Sequence, residues 1–463
     1  MNMELLHRAK SAELHVHVGG CLKAEDLLEL GRENFDKVDW TLFTEGYEKA
    51  FGLRADPVAL YREALAGGGA DVFRPYCVYS AADGGDFARF QAKFNFGICL
   101  YRHWWHVLGR EEEILGRILA RHRSEKLRYV EYRAMAPYGP ENPEAFIQFH
   151  ATTARTIQSA CGQGFQARYL VSLPRWAPLE SYLVTRQLLD EHPDLVPTIV
   201  GLDFCHFEEG YPPESTRAFF KQLHIDNEAH PECYLDVAYH VGEVYFDKSL
   251  ESAVRWCHEA AELGATRLGH CTALGLDPAT AVMRHPDAHQ VEPVTERMAQ
   301  IRYDLRHRDT LRDYDIPVDT NALQEELKQL GERPRDEPLR SSYSDERLAE
   351  VRQRQSFVLD RLAELEVVIE TCPTSNLRIG AVPTAAQHPI HRFLQSDVRL
   401  VVSADDPGIF DCTLADEIDW VVTHTSLQVE TLQARLGDPH HYRFGLHRPF
   451  RTHQQTGTSR IHI

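Results

Sequence analysis

His15 and His17 sit two apart in the alternating run ELHVHV (13–18). Side chains two apart on a strand share one face, so both imidazoles can grip one ion, and imidazole suits zinc and first-row metals generally. In a chain with 25 histidines a lone His-x-His carries little weight, and its company carries more. The run YLDVAYHVGE (234–243) ends in His240 and, three residues on, Glu243. Leu268-Gly269-His270 lies in TRLGHCTAL (266–274), EVVIETCPTSN (366–376) ends in Cys372-Pro373-Thr374-Ser375-Asn376, and RLVVSADDP (399–407) ends in Asp405-Asp406-Pro407. Buried carboxylates are costly unless they are hydrogen-bonded or bind a metal, so strands that end this way end at a site. Metal ligands and acid/base groups delivered to one place are the layout of an enzyme.

The elements that must deliver them are strand-like runs with polar ends. Besides the five above, LRYVEYRAMAP (127–137), ARYLVSLPR (167–175) and TIVGLDFCHF (198–207) bring the count to eight. Helical patterns fill most gaps, for instance SLESAVRWCHEAAELG (249–264), whose apolar positions recur every three to four residues. Strand and helix alternating eight times predict an α/β fold, a metal-dependent (β/α)₈ TIM barrel, in which catalytic residues come from the C-terminal ends of the strands. On pattern alone a doubly wound open sheet competes.

The order His-x-His, His-x-Gly-Glu, Gly-His, Cys-Pro-Thr-Ser-Asn, Asp-Asp-Pro resembles the adenosine and AMP deaminases, a branch of the amidohydrolase superfamily. The likeness runs from about Glu13 to about Trp420 and includes YVEYRAMAP (129–137) and His388-Pro389. It implies one Zn²⁺ per chain, held by His15, His17, His240 and Asp405 with a position left for water. It further implies that His270 orients and helps deprotonate that water, that Glu243 protonates purine N1 as C6 is attacked, and that Asp406 contacts N7. Such a glutamate must carry a proton, so its pKa is expected to be raised by the cleft. Cys271 reads as packing, and Cys-Pro-Thr-Ser-Asn as architecture bracing the neighbouring strand ends.

The departures bear on the substrate. Adenosine deaminases usually carry, two residues after the second histidine, an Asp that meets the ribose 5′-hydroxyl; this chain has Gly19. Its loss removes a ribose contact and a charge that would repel a 5′-phosphate. Gly19-Gly20-Cys21-Leu22 and FARFQAKFN (87–95) are similar to AMP-deaminase segments, which makes Arg89 and Lys93 candidate substrate contacts, with an ordinary helix surface as the alternative. Cys205-His206-Phe207-Glu208-Glu209 replaces the family's Ala-Gly-Asp-Glu, so the N3 contact is not carried over. The implied activity is hydrolytic deamination of adenosine or of AMP or ATP to the inosine form with release of ammonia. The alternatives are another aminopurine or an N6-substituted AMP, or a catalytically silent assembly or regulatory subunit, such as those of antiphage systems that act on ATP.

Composition bounds the rest. A chain of 463 residues, 43% hydrophobic, can bury one large core, and a single barrel domain over 1–463 is expected. A net charge of −19 argues against nucleic acid as a partner, since counterion release needs a basic surface. Ten cysteines without a Cys-x-x-Cys or a dense framework read as reduced thiols of a cytoplasmic protein. No apolar leader precedes the first strand and no apolar run reaches membrane-spanning length. Two insertions break the barrel rhythm: a helical, lid-like excursion over 20–126, whose aromatics in FNFGICLYRHWWHV (94–107) serve as lid or core, and a charged stretch over 276–365. Long functional loops, disorder and homo-oligomer contacts all fit the second, which also holds an expected helix over 345–365.

Overall fold

In chain order the strands are β1 (Ala12–His17), β2 (Tyr129–Met135), β3 (Gln166–Ser172), β4 (Ile199–Phe204), β5 (Asp236–Val241), β6 (Arg267–His270), β7 (Val291–Pro293), β8 (Pro338–Arg340), β9 (Val368–Thr371) and β10 (Arg399–Val402). The computed structural model describes residues 6–162, 164–284 and 289–446, so the stretch read for a leader lies partly outside the described residues. Eight strands form one parallel sheet in the order β1-β2-β3-β4-β5-β6-β9-β10. Its two outer strands meet at an isolated bridge between Val16 and Asp405, where His17 N donates to Asp405 O at 3.1 Å and Asp405 N to His15 O at 3.0 Å. The sheet therefore closes at the candidate ligands themselves. A (β/α)₈ barrel is the architecture, and the open doubly wound sheet is ruled out.

All eight predicted runs are strands; β1, β5 and β6 carry His15, His17, His240 and His270 within the ladder, while the acids and other polar residues beyond the strand ends lie on loops. Several residues at these ends turn sharply: His206, His270, Cys271 and Asp405 have φ of +74°, +67°, +49° and +62°. Left-handed backbone at a non-glycine residue is strained, and it concentrates where the fold aims side chains at a site. Inside the barrel the residues facing one another include charges. Arg133 pairs with Asp203 at 3.0 Å and Glu370 at 3.1 Å, and Arg267 pairs with Glu370 at 2.9 Å and with Glu131, all five being almost fully buried. Buried charges persist only when paired this completely, and removing one partner leaves another stranded. The ionic layer thus fixes the strands below the site.

The excursion after β1 contains the helices Ala24–Gly31, Thr41–Phe51, Pro57–Glu63, Phe87–His103 and Glu111–Ser124. Asp86 caps the fourth by accepting from Ala88 N and Arg89 N. The aromatics of this helix serve both expected uses: Phe96 is fully buried core, while Phe90 stacks on Phe410 at 5.4 Å and Phe87 meets Phe207 at 5.1 Å, both on loops above the barrel.

The 276–365 insertion is largely helical rather than a long loop. It contains Pro278–Arg284, Val294–Arg306, Thr320–Gly331, the expected helix as Asp345–Glu364, and an unforeseen antiparallel pair of β7 with β8. A small cluster of Val294, Met298, Ile301 and Leu330 holds it internally. Buried polar contacts fasten it to the barrel: Arg255 pairs with Glu296, and Ser249 Oγ donates to Glu292 at 2.6 Å. Among the described residues no helix is long and apolar enough to cross a membrane.

Candidate active site

β1, β5 and the loop after β10 bring His15, His17, His240 and Asp405 together, with one ligand atom of each within 4.8 Å of all the others. His15 Nε2 and His17 Nε2 each lie 3.3 Å from Asp405 Oδ1, and the Nε2 atoms of His17 and His240 are 3.2 Å apart. Acids below them decide the tautomers. His15 Nδ1 bonds Glu370 at 2.8 Å, so that ring gives its proton away from the cluster and turns a lone pair inward, and His240 Nδ1 faces Asp203 at 3.1 Å on the same side. Inward lone pairs and a carboxylate repel unless a cation lies among them. Burial works against charge on His17, yet hydrogen bonds to Asp405 and Cys205 and the nearby Asp406 push its pKa well above the ordinary value. The site demands positive charge, and three imidazoles with one carboxylate are a donor set that fits a zinc-like ion.

Three further groups flank the cluster. His270 Nε2 faces Glu243 Oε1 at 3.5 Å. Burial holds the His270 imidazole well below its usual pKa and so keeps it neutral. Burial also raises Glu243 well above the carboxylate range, and the negative charges of Asp405 and Glu208 add to the effect. Asp406 is pushed up to about 7 by burial and by Asp405. The seven residues expected to bind metal and drive chemistry therefore share one cleft, from which His17 and Glu243 retain 17% and 19% of their side-chain exposure.

The expected substrate contacts fare differently. A Cβ at Gly19 would lie 3.3 Å from both Phe94 and Ile98, so the long helix of the excursion approaches this position closely. Lys93 is buried, paired with Asp83 at 2.7 Å and donating to Val78 O at 2.9 Å, which leaves its ammonium spent on the lid's own structure. Arg89 donates to Asp83 O and Ala50 O.

Other residues also shape the site, and of these only Asn376, in the Cys-Pro-Thr-Ser-Asn stretch expected to brace the neighbouring strand ends, is given a role by the sequence. Glu208 accepts from Gly242 N and Val244 N, both at 2.8 Å, and so grips the backbone on either side of Glu243. Glu13 accepts from His15 N at 3.0 Å and Ala404 N at 3.1 Å, tying β1 to the loop that carries Asp405. Arg175 donates to Phe204 O at 2.8 Å and His240 O at 2.6 Å. Asn376 Nδ2 lies 3.0 Å from His270 Nδ1, so the orientation of this amide selects the tautomer of His270. A Cβ at Gly20 would fall 1.6 Å from Asp406 Oδ1, which makes Gly20 the position where only glycine fits. A signal existed for the acids: Glu13, Asp203 and Glu370 are single charges inside otherwise apolar strands, where an unpartnered carboxylate would not be tolerated.

Comparisons with known proteins agree with this geometry. The adenosine deaminase family model matches residues 346–436, which carry β9, β10 and the Asp405-Asp406 pair. An adenine deaminase from Rhizobium leguminosarum is 42% identical over 62 residues, 13% of this chain, and the match covers only 19% of that enzyme's length. Among solved structures, Arabidopsis ADAL complexed with IMP superposes with a TM-score of 0.52 at 14% identity, over 96% of this chain and 94% of that one. An amidohydrolase from Burkholderia ambifaria with bound zinc gives 0.50 at 12% identity, over 94% and 85%. At these identities the structural likeness speaks for the fold.

Proposed function

We propose that this chain belongs with the adenosine deaminases, whose family model matches residues 346–436, and hydrolyses the 6-amino group of an adenine nucleoside or nucleotide. The reaction exchanges the amino group at C6 for the oxygen of water and releases ammonia, giving the inosine form. One observation carries the reading: a four-ligand cluster shares a cleft with a carboxylic acid of raised pKa, a neutral imidazole and a second raised acid.

A zinc ion held by His15, His17, His240 and Asp405 would supply the Lewis acidity that makes water nucleophilic near neutral pH. The chain's own groups do the rest. Glu243, protonated because it is buried among negative charges, donates to purine N1 as the bond from water oxygen to C6 forms, so the ring never carries the full negative charge. His270 orients the water and, with Asn376 Oδ1 turned to its Nδ1–H, presents a free Nε2 to receive the proton; that oxygen is buried without a partner, so the turn breaks no bond to it. The proton is then passed to the departing nitrogen, which leaves as ammonia when the C6–N bond breaks, and the C6 hydroxyl gives up its remaining proton to restore Glu243 as the carbonyl forms. Asp406, pushed up to about 7, donates in its protonated form to N7 and fixes the face of the ring. Gly20 keeps that carboxylate in place by leaving room for it.

The substrate's remainder is read as adenosine, AMP or ATP. Two relatives act, by name, on adenine and on aminodeoxyfutalosine, so the shared part of the substrate is the aminopurine. The complete set of acid, base and ligands favours an active enzyme over a silent subunit. Loss of the adenine absorbance band is followed for adenosine, deoxyadenosine, AMP, ATP, adenine and N6-methyl-AMP with metal-replete protein. Turnover of one of the first four is expected, with Glu243→Gln keeping its metal and losing about 10²–10⁴ in kcat. No turnover of any of the six would refute the reading, and turnover of N6-methyl-AMP or adenine alone would move it to those substrates.

A further inference from the structure

Resting on the nucleotide reading above, we infer that Arg284, with Arg89 across a glycine turn from it, receives the anionic group at the substrate's 5′ end. The helix Phe87–His103 lies over the cleft: Phe94 stands beside Gly19, Phe87 touches Phe207 after β4, and Phe90 stacks on Phe410 after β10. The turn that enters this helix, Gly84-Gly85, therefore belongs to the rim. Two guanidinium groups flank it. Arg89 Nη1 lies 3.0 Å from where a Cβ on Gly84 would stand, and Arg284 Nη2 lies 2.9 Å from the corresponding point on Gly85.

Arg284 comes from the first helix of the 276–365 insertion and also approaches Gly380, on the loop beyond β9, at 3.0 Å from its would-be Cβ. Gly85 and Gly380 have φ of +65° and +92°, and a Cβ on Gly380 would collide with the Gly85 carbonyl at 2.0 Å. Only glycines let these two loops cross with an arginine laid over the crossing. Arg284 also acts electrostatically on Tyr245, two residues beyond Glu243, so three loops of the rim meet at this guanidinium.

The charge at this point is uncommitted. Among the described residues Arg284 has no hydrogen bond and no carboxylate within ion-pair distance, and its Nε is buried without a partner. Arg89 bonds only carbonyl oxygens and lies over the Phe51 ring. The nearby acids are already used: Asp83 pairs with Lys93, and Asp86 accepts the first amides of the long helix. In a chain of net charge −19, a rim arginine without an acid is a receptor for an external anion, and the guanidinium fork matches a phosphate. The insertion thus supplies the part of the site that reads the 5′ end, in place of the Lys93 contact.

The test compares kcat/KM for AMP and adenosine in the full-length, metal-replete parent, Arg284→Ala and Arg284→Lys, with melting temperatures alongside. Arg284→Ala should cut AMP turnover about ten- to a hundredfold, as loss of a charge-assisted contact predicts, and leave adenosine within about twofold. Arg284→Lys keeps the charge without the fork and should fall between, which decides the matter if the alanine variant does not fold. If the parent prefers AMP and both variants keep that preference, with the two substrates unchanged or falling together, Arg284 is not the receptor and the nucleotide reading stands. If the parent prefers adenosine tenfold or more, the nucleotide reading falls and this inference falls with it.

Discussion

Glu208 offers the sharpest test of how the cleft is built, because its carboxylate touches no candidate ligand and yet holds both amides that bracket Glu243. Replacing it by glutamine keeps the shape. One oxygen can still accept from one amide, but the new NH₂ must face the other N–H. One charge-assisted bond, worth about 1.5–3 kcal/mol, is lost, and a buried amide is left unpaired. The loop relaxes at the residue that delivers the proton, and a displacement of about 1 Å there costs on the order of 10²-fold in rate. Glu208→Gln should therefore lower kcat about ten- to a hundredfold with metal content unchanged. A second effect separates this from loose packing. The negative charge of Glu208 helps hold the pKa of Glu243 up, and Glu243 acts in its protonated form. Activity is thus present below that pKa and lost as pH rises through it. Removing the Glu208 charge lowers the pKa, so the alkaline limb of kcat/KM must move to lower pH. The assay is a pH series of kcat/KM on parent and variant with metal analysis of each. An unmoved or upward-moving limb, or a rate within about threefold of the parent, would refute the argument; loss of metal would show that Glu208 acts through His240 instead.

Gly20→Ala should abolish activity while Gly19→Ala leaves a measurable rate, since a methyl at 20 would sit 1.6 Å from the Asp406 carboxylate and one at 19 only 3.3 Å from yielding side chains. Equal rates in the two variants would contradict the placement of Asp406. Metal analysis of the purified chain should give about one divalent ion, with His15→Ala and Asp405→Ala each losing it. Two ions per chain, or full occupancy in Asp405→Ala, would rule out a mononuclear centre.

The parts of this molecule legible in its sequence are those that repeat or that punctuate. Apolar runs ending in His, Glu or Asp mark strand ends, and their order along the chain suffices to bring His15, His17, His240, His270 and Asp405 to one end of a barrel. Supporting groups are harder to read because their meaning lies in a partner far away: Glu370 is one acid in VVIET until it meets His15 Nδ1, 355 positions distant. Gly19 is weighed in the sequence by what it lacks, and that Phe94 and Ile98 of the helix Phe87–His103 stand beside it is visible only in the fold. Lys93 misled because a cation in a likely segment does not reveal that Asp83 has already claimed it. The insertion resisted reading because a charged stretch fits loops, disorder and oligomer contacts alike, whereas its charge is partly buried in pairs such as Arg354 with Asp304.

The meeting of Val16 with Asp405 also governs when in the life of the chain a competent centre can exist. His15 and His17 leave the ribosome before the other ligands, and Asp405 arrives only after β10. Until then β1 and its partner edge expose unpaired backbone, a surface prone to wrong pairing. Capture of an ion by His15 and His17 alone cannot rescue a truncated product, because the fourth ligand and the seam's hydrogen bonds belong to the same residue. Arrival of Asp405, ring closure and acquisition of the metal thus become one event, and a ribosome-bound fragment ending before Asp405 should be as inert as an unfolded one.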